Sequence, residues 1–369
     1  MKEFNFDRSL WVKESAEREI YVIDQRYLPF ETRLFRLFNP DDVFYSIREM
    51  VVRGAPLIGV TAAYGMYLAL QGYSGNEPFN HLKNTADRLN SARPTAVNLS
   101  YAIKRMVLAF HPELSHRENT ELLFNEAELI RKSEVESCRK IGETGLPLIE
   151  AISNSKKGEP VQILTHCNAG WLACVEWGTA LSPVYLAHRK GIPIHVWVDE
   201  TRPRNQGARL TAFELDQAGV PHTVIADNTG GHLMQHGKVD MVIVGSDRTA
   251  ASGDTANKIG TYLKALASFD NNVPFYVALP FSSIDLTLED GLAEIPIEER
   301  NEEELSVMEG RSPDGISRIK IYSEKSRVAN YGFDVTPARL ITGLITEKGY
   351  CRAEKNSILS LYYENQPNA

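Results

Sequence analysis

The stretch VQILTHCNAG, at residues 161–170, is an apolar run that ends on Cys167 and then turns. Short apolar runs of the same kind recur further along the chain, with helical patterns between them. The runs lie at 192–199, 222–227, 241–245 and 274–279, and the helical patterns at 172–191, 206–219 and 255–269. Such alternation is typical of a doubly wound parallel sheet. The C-terminal half of the chain therefore predicts a Rossmann-like α/β domain.

The N-terminal part of the chain has a different pattern. Two strand-like runs, at 20–29 and 32–38, predict a short antiparallel sheet. A helix is expected to begin at Asn39-Pro40, because asparagine caps helices and proline is tolerated in the first turn. Helical patterns then dominate as far as about Ile152.

The polar stretch SNSKKGEP, at 153–160, is rich in residues that break secondary structure and is the best candidate linker. We therefore expect a smaller, mainly helical domain at 1–152 and the Rossmann-like domain at 153–369. Near the end of the second domain, the pattern at 333–349 predicts one more helix, with a threonine as its cap.

Composition excludes several classes of function. A net charge of −8 over 369 residues argues against broad nucleic-acid binding. The sequence has no GxGxxG and no P-loop, and neither its four cysteines nor its histidines and carboxylates show metal-ligand spacing. The charged N-terminus is unlike a signal peptide, and no apolar run has membrane-spanning length. We expect a cytoplasmic protein that needs neither metal nor cofactor.

Each predicted strand of the second domain ends in a polar loop. Because parallel strands end at one edge of the sheet, these loops are expected to line one crevice. Their candidate residues are Cys167, Asp199, Glu200, Arg202, Gln206, Asp227, Asn228, Asp247, Arg248, Asp254, Asn257 and Lys258. Some have simpler explanations: Asp199 or Glu200 could pair with Arg202, and Asp227 or Asp254 could be a helix cap.

Cys167 allows two interpretations. It could be a small buried hydrophobe. Alternatively, its thiol faces the crevice, and backbone N–H groups at the start of a following helix favour the thiolate. His166, on the other side of the strand, is expected to be a packed histidine, and Cys174 to lie in the core.

Five segments, in order, resemble the family of 5-methylthioribose-1-phosphate isomerases. They are VRGAPLIG, ARPTAVNL, THCNAG, DETRPRNQGARLTAFEL and DRTAASGDTANKIGTY, and the resemblance runs from about Leu28 to about Gly349. That family shares a superfamily with ribose-1,5-bisphosphate isomerases and regulatory subunits of a translation-initiation exchange factor. The resemblance implies conversion of an aldose 1-phosphate into the ketose 1-phosphate in methionine salvage, by a homodimer.

The resemblance also implies roles for particular residues. Cys167 corresponds to the family's reactive cysteine and Asp247 to its acidic catalyst. The substrate-binding positions fall on Arg53, Gly54, Ala55, Arg93, Gln206, Asn257 and Lys258. A neutral Asp247 would protonate the ring oxygen of the sugar. The hydrogen on C2 would then reach C1, either as a proton taken by a Cys167 thiolate or as a hydride in a site that Cys167 shapes.

Three alternatives stay open at this point. The substrate could be another pentose 1-phosphate, such as 5-deoxyribose 1-phosphate or ribose 1,5-bisphosphate. The chain could instead be a non-catalytic subunit that binds sugar phosphates or nucleotides. Trp171 stands where the family usually has a small residue, and it either lines the sugar pocket or packs in the core.

Overall fold

The computed structural model describes residues 8–14, 18–93 and 97–364. Three strands at the start form an antiparallel sheet, and five helices follow. The elements are β1 (Leu10–Lys13), β2 (Glu19–Ile23), β3 (Leu34–Leu37), α1 (Pro40–Arg48), α2 (Ala55–Gln71), α3 (Pro78–Ala92), α4 (Val97–Leu108) and α5 (His116–Ser155). The mainly helical N-terminal part with its short antiparallel sheet is confirmed.

Local chemistry explains where the first helices begin. The Asn39 side chain accepts hydrogen bonds from the N–H groups of Asp41 and Asp42, as expected for the cap of α1. Helix α2 is buried on all sides from Ala55 to Leu70. Before α2 stands Gly54, with φ +96°, where a Cβ would lie 2.4 Å from a main-chain oxygen. Only glycine therefore lets α2 approach the loop that carries that oxygen.

The second half alternates strands and helices. Its elements are β4 (Val161–Thr165), α6 (Ser182–Arg189), β5 (Ile194–Asp199), α7 (Ala212–Gln217), β6 (His222–Ile225), α8 (Thr229–Gln235), β7 (Met241–Val244), β8 (Arg248–Ala250), β9 (Thr255–Lys258), α9 (Thr261–Asp270), β10 (Phe275–Ala278), β11 (Ile284–Asp285), α10 (Gly291–Glu294), α11 (Glu303–Ser306), β12 (Val307–Ser312), β13 (Gly315–Lys320), β14 (Phe333–Thr336), β15 (Gly343–Thr346), β16 (Gly349–Cys351) and α12 (Lys355–Glu364).

The central sheet has seven strands in the order β16-β15-β10-β7-β4-β5-β6. All neighbours are parallel except β15 and β16. From β4 the chain goes outward through β5 and β6, then returns to β7 on the other side of β4. The direction of winding thus reverses between β4 and β7, which is where open α/β sheets bind ligands. The predicted doubly wound, Rossmann-like sheet is confirmed.

Two smaller sheets lie beside the central one. One has the order β11-β8-β9-β14, and the other is the hairpin β12–β13. Two predictions are corrected here: residues 255–258 form strand β9 before α9, and the tail at 333–349 forms strands in place of a helix. Of the tail strands, β14 belongs to the four-stranded sheet and β15 to the central sheet. All four residues of β15 are buried. A short, wholly buried apolar run gives no periodicity that separates a strand from a helix.

The predicted helix at 172–191 is also wrong over its first half. A single 3₁₀ turn covers Trp171–Ala173, and the α-helix begins only at Ser182. The carboxylate of Glu214 accepts hydrogen bonds from the N–H groups of Trp171 and Leu172, so a distant side chain satisfies the donors at the start of this turn. No α-helix begins directly after Cys167.

Helix α5 contributes to two hydrophobic cores. Its first half, around Leu123 and Ile130, packs with α2 and α4, and its second half, around Ile141 and Ile149, packs with the central sheet. The domain boundary at 152/153 therefore stays a prediction. No helix within the described ranges is long and apolar enough to cross a membrane.

Candidate active site

The end of β4 carries Cys167 and the end of β7 carries Asp247, on either side of the point where the winding reverses. All nine residues that the resemblance assigned to the site line one cavity of about 610 Å³, including its open mouth. They are Arg53, Gly54, Ala55, Arg93, Cys167, Gln206, Asp247, Asn257 and Lys258. Residues from both halves of the chain thus meet in one place.

The backbone of Cys167 is held in a strained conformation. Its φ is +67°, a region that side-chain-bearing residues rarely adopt. Its N–H donates to Thr201 Oγ1 at 2.8 Å, and its carbonyl oxygen accepts from Thr211 Oγ1 at 2.7 Å. Cys167 is partly exposed, whereas the other three cysteines are buried. These two bonds therefore fix the thiol at the wall of the cavity.

Burial raises the pKa of the Cys167 thiol, and the positive charges of Arg53 and Lys258 oppose that shift without cancelling it. The sequence had suggested that helix N-terminal amides favour the thiolate. No α-helix begins directly after Cys167, so the helix part of that expectation is wrong. The backbone N–H of Asn168 does lower the pKa of Cys167 as expected, but burial outweighs it and the net shift favours the neutral thiol.

Asp247 has the environment expected of a carboxyl group that stays protonated. Burial raises its pKa, and the nearby cations Lys258, Arg93 and Arg53 act in the opposite direction. Its main-chain N–H donates to Ala256 O at 3.0 Å, which ties the carboxyl-bearing turn to the next sheet. The group is thus held protonated to higher pH than an ordinary aspartic acid.

Three cations share the cavity. The Arg53 guanidinium donates to both the side-chain oxygen and the carbonyl oxygen of Asn168, the latter at 2.6 Å. Lys258, on β9, donates to Gly332 O at 3.0 Å. Burial lowers the pKa of Lys258 and of Arg93. Buried cations of this kind are stabilised by an anion, which suits the site to a phosphate group.

Two polar atoms of the cavity have no hydrogen-bond partner among the described residues: Arg93 Nε and Gln206 Oε1. Gln206 is 5 % exposed, so its carbonyl oxygen is shielded from bulk water and available to a ligand hydroxyl. Asn257 donates to Thr261 Oγ1 at 3.0 Å, which fixes its amide. The cavity therefore offers both donors and acceptors.

A buried cluster lies behind Cys167. The ring nitrogens of His166 contact Asp199 Oδ2 and Ile259 O, each at 2.8 Å, so the expected packed histidine is confirmed. Ligand atoms of His166, Asp199 and Asp227 lie within 4.8 Å of one another, a grouping that sequence spacing did not reveal. The Lys264 ammonium is 3.2 Å from Asp199 Oδ2, where it supplies the positive charge that a metal ion would bring.

Several polar residues from the crevice loops are used elsewhere. Asp227 accepts the N–H groups of Thr201 and Arg202, at 2.6 and 2.7 Å, and does not cap a helix. Arg248 forms an ion pair with Asp285. These groups shape the loops and do not line the cavity.

The helix-cap interpretation of Asp254 is wrong, because a strand follows it. Its carboxylate accepts from the N–H groups of Gly291 and Ala338, at 3.1 and 2.8 Å. Asp254 therefore anchors two distant loops to the turn before β9.

Trp171 belongs to the core. It is 6 % exposed, packs with its ring centroid 6.5 Å from that of Phe213, and is not among the residues that line the cavity. Cys174 is 1 % exposed and is therefore buried as expected, although it forms part of the cavity wall.

An apolar recess of about 440 Å³ adjoins the cavity and escaped the sequence analysis. Its apolar walls are Ala55, Ile58, Ala256, Ile295, Pro296, Ile297 and Phe333, and the charged residues Arg93, Asp247 and Arg248 border it. It shares Ala55, Arg93, Asp247 and Phe333 with the main cavity. The run Ile-Pro-Ile at 295–297 carries no signal of a ligand site in the sequence. Folding alone brings it beside Asp247.

A doubly wound sheet with a thiol, a carboxyl and three cations at its reversal point defines an α/β protein with a pocket for a small anionic ligand. The chain belongs to the initiation factor 2 subunit family, which matches residues 51–353.

Proteins of similar sequence align with nearly the whole length of this chain. The methylthioribose-1-phosphate isomerase of Methylorubrum extorquens is 58 % identical over 350 residues, or 94 % of each chain. That of Desulfosudis oleivorans is 54 % identical over 361 residues, covering 97 % of this chain and 98 % of the other.

Two solved structures show the same fold. The 5-methylthioribose 1-phosphate isomerase of Pyrococcus horikoshii OT3 has a TM-score of 0.83 at 37 % identity, covering 97 % of this chain and 96 % of that one. The delta subunit of translation initiation factor eIF-2B from A. fulgidus has a TM-score of 0.78, also at 37 % identity, covering 96 % and 99 %. The overall fold therefore does not distinguish an isomerase from an initiation-factor subunit, and that distinction has to rest on the residues of the site.

Proposed function

We propose that this chain is an aldose–ketose isomerase that converts 5-methylthioribose 1-phosphate into 5-methylthioribulose 1-phosphate in methionine salvage. One observation carries the proposal: Cys167 and Asp247 share a single cavity with Arg53, Arg93 and Lys258. Relatives at 54–58 % identity bear the corresponding name. A subunit that only binds its ligand needs neither the acid nor the thiol, so their presence disfavours the non-catalytic alternative.

The phosphate would be held by Arg53, Arg93 and Lys258. Burial lowers the pKa of Arg93 and of Lys258, and a phosphate dianion would reverse that shift by pairing with both. Arginine binds phosphate through two parallel N–H groups, whereas lysine acts as a point charge. These contacts would leave C1 of the sugar near Cys167.

Asp247 would open the sugar ring. A sugar phosphorylated on its anomeric carbon cannot open spontaneously, so an acid must protonate the ring oxygen as the bond to C1 breaks. The raised pKa of Asp247 keeps that proton available. After ring opening, the Asp247 carboxylate would be stabilised by the three cations beside it.

The hydrogen on C2 must then reach C1. Because the pKa of Cys167 is raised, a neutral thiol is favoured and has little capacity to take a proton. We therefore favour transfer of that hydrogen as a hydride, with Cys167 as part of the enclosing wall, over proton abstraction through an enediol. As the hydride leaves C2, the C2 hydroxyl would become the ketone carbonyl and give its proton to the Asp247 carboxylate that ring opening left ionised. With substrate deuterated at C2, NMR should find the label retained at C1, and its loss to solvent would support the enediol route.

The apolar recess beside Asp247 would take the 5-methylthio group. In the sugar, the ring oxygen is bonded to C4, which carries C5, so a substituent on C5 lies close to the acid. The walls of Ile58, Ile295 and Phe333 suit a methylthio group. Of the two arginines at the recess, Arg248 is paired with Asp285 and Arg93 is assigned to the 1-phosphate, which disfavours the second phosphate of ribose 1,5-bisphosphate. 5-Deoxyribose 1-phosphate would fill the recess less completely.

The direct test is incubation of the purified protein with 5-methylthioribose 1-phosphate, with ketose formation followed by NMR. Parallel reactions with 5-deoxyribose 1-phosphate and ribose 1,5-bisphosphate would rank the three sugars, and Asp247→Asn protein would serve as the inactive control. Binding of the methylthio sugar without turnover would overturn the proposal in favour of a binding subunit.

We also propose that the protein is a cytoplasmic homodimer. The four cysteines of the chain are free thiols, which suits a reducing compartment. Leu263 and Phe269, on α9, are 64 % and 63 % exposed, and a second copy would cover such a surface. Light scattering should give twice the mass of the chain, and a Leu263→Glu variant should shift the protein toward the monomer.

A further inference from the structure

Glu214, on α7, is a fully buried carboxylate behind the wall of the cavity. It accepts four hydrogen bonds: from Asn168 Nδ2 at 2.9 Å, from the N–H groups of Trp171 and Leu172 at 2.8 and 3.0 Å, and from Tyr185 Oη at 2.7 Å. Three of the four donors belong to the segment that directly follows Cys167. A buried charge with this many donors is placed with little freedom.

Asn168 links Glu214 to the cavity. Its Nδ2 donates to Glu214 and, at 3.1 Å, to Thr211 Oγ1, so the orientation of the amide is determined. Its Oδ1 therefore faces the other way and accepts from Arg53, whose second N–H donor goes to the main-chain carbonyl oxygen of Asn168. Two of the five N–H groups of Arg53 are used in this pair, which sets the plane of the guanidinium.

The residues around Glu214 and Asn168 are closely packed, so the contacts from Glu214 through Asn168 to Arg53 have no room to shift. A Cβ on Gly170 would lie 1.7 Å from Glu214 Oε2, so only glycine allows the loop to close on the carboxylate. Glu214 is 0 % exposed and Asn168 is 4 % exposed, so water does not substitute for either partner. Burial raises the pKa of Glu214, whereas the hydrogen bonds from Asn168 and Tyr185 and the charge of Arg53 favour its ionised form.

We propose that Glu214 is a positioning residue that acts through Asn168 to aim the Arg53 guanidinium at the phosphate of the substrate. This rests on the proposed function in one respect, the binding of a phosphate by Arg53. Glu214 itself touches no substrate. Its role is to supply the acceptor that holds Asn168 in the one orientation that leaves both of its oxygens to Arg53.

The test uses Glu214→Gln, which keeps the shape of the side chain but replaces one acceptor oxygen with an NH₂ donor. Tyr185→Phe is the matched control, because it removes one of the same four hydrogen bonds without affecting Asn168. Cys167 is the one partly exposed cysteine of the chain, so its alkylation by iodoacetamide, read by peptide mass spectrometry, reports on the cavity. Protection by inorganic phosphate measures phosphate binding without any turnover.

We expect Glu214→Gln to raise the phosphate concentration for half-protection by about tenfold or more, the effect of a lost charge-assisted contact, and Tyr185→Phe to change it less than about threefold. In the isomerase assay, KM should rise with a smaller change in kcat. The decisive measurement is coupling: added to Arg53→Ala, Glu214→Gln should weaken protection no further.

Additive effects of the two substitutions would overturn the proposal, as would a lower melting temperature with unchanged protection. If Glu214→Gln does not fold, Asn168→Ala takes its place in the same cycle with Arg53→Ala. Failure of the proposed function is distinguishable: an inactive wild-type protein that phosphate still protects refutes the isomerase and leaves the positioning role intact.

Discussion

Asp247→Asn is the substitution that tests most of the proposed chemistry at once. Asparagine keeps the shape of the side chain but has no proton to give to the ring oxygen. Positioned acid catalysis contributes about 10²–10⁴-fold, so we expect kcat to fall by that factor. In free energy this is about 2.7–5.4 kcal/mol of lost transition-state stabilisation.

The pH dependence of kcat follows from the direction of the pKa shift. Asp247 must be protonated to act, and burial raises its pKa above that of an ordinary aspartic acid. The wild-type kcat should therefore fall as pH rises through the pKa of Asp247 in the complex. Asp247→Asn should lack this decline. Above that pKa, where Asp247 is ionised, the substitution removes a negative charge beside Lys258, Arg93 and Arg53 and should therefore tighten binding of the product.

The assay is kcat from pH 5 to 9, together with calorimetry of product binding. Asp254→Asn is the control, since Asp254 lies nearby in the turn between β8 and β9, accepts from Gly291 and Ala338, and does not line the cavity. It should lower the melting temperature and leave the pH profile unchanged. A kcat within tenfold of wild type for folded Asp247→Asn would refute the assignment of the acid.

Three further predictions concern single side chains. Because the hydride route makes Cys167 part of the enclosing wall, Cys167→Ser, with a side chain of similar size, should lower kcat less than about tenfold, and a loss of about 10²-fold or more would indicate proton abstraction by the thiolate. Cys167→Gly should be more stable than Cys167→Ala, because relief of about 1–2 kcal/mol of left-handed strain exceeds the flexibility cost of glycine. A less stable glycine variant in thermal melts would contradict the strain. Arg53→Ala and Arg93→Ala should each weaken product binding by about 1.5–3 kcal/mol, and unchanged calorimetric affinity would exclude a phosphate contact. Trp171→Ala should lower the free energy of unfolding, measured with denaturant, by about 3–5 kcal/mol, because the side chain is buried. The ratio of kcat/KM for the 5-methylthio and 5-deoxy sugars should stay unchanged, and an altered ratio would place Trp171 at the sugar.

The order of strands and helices in the second half was open to sequence reasoning, because each element there has a local signature. The runs that end at Cys167 and at Asp247 are apolar and short, and their loops are polar. Parallel strands end at one edge of a sheet, so the meeting of these two residues follows from topology alone. The nine site residues came from motifs, and they do line one cavity.

Other features depend on partners distant in the chain. The segment after Cys167 forms a single 3₁₀ turn, and the N–H groups of Trp171 and Leu172 in it donate to Glu214, more than 40 positions away. The tail forms strands, and all four residues of β15 are buried, on both faces of the sheet. The sequence of β15 therefore lacks the alternation of apolar and polar residues that would indicate a strand.

The sequence by itself therefore determined which residue types stand at the ends of strands, since propensity and hydrophobic alternation are local properties of the chain. The tertiary structure alone decided the protonation state of those residues and the orientation of their side chains. The pKa of Cys167 and of Asp247 depends on how much water the fold excludes and how many cations it gathers, and the orientation of Arg53 depends on a carboxylate 161 positions along the chain. Desolvation and hydrogen-bond geometry arise only when distant segments pack together.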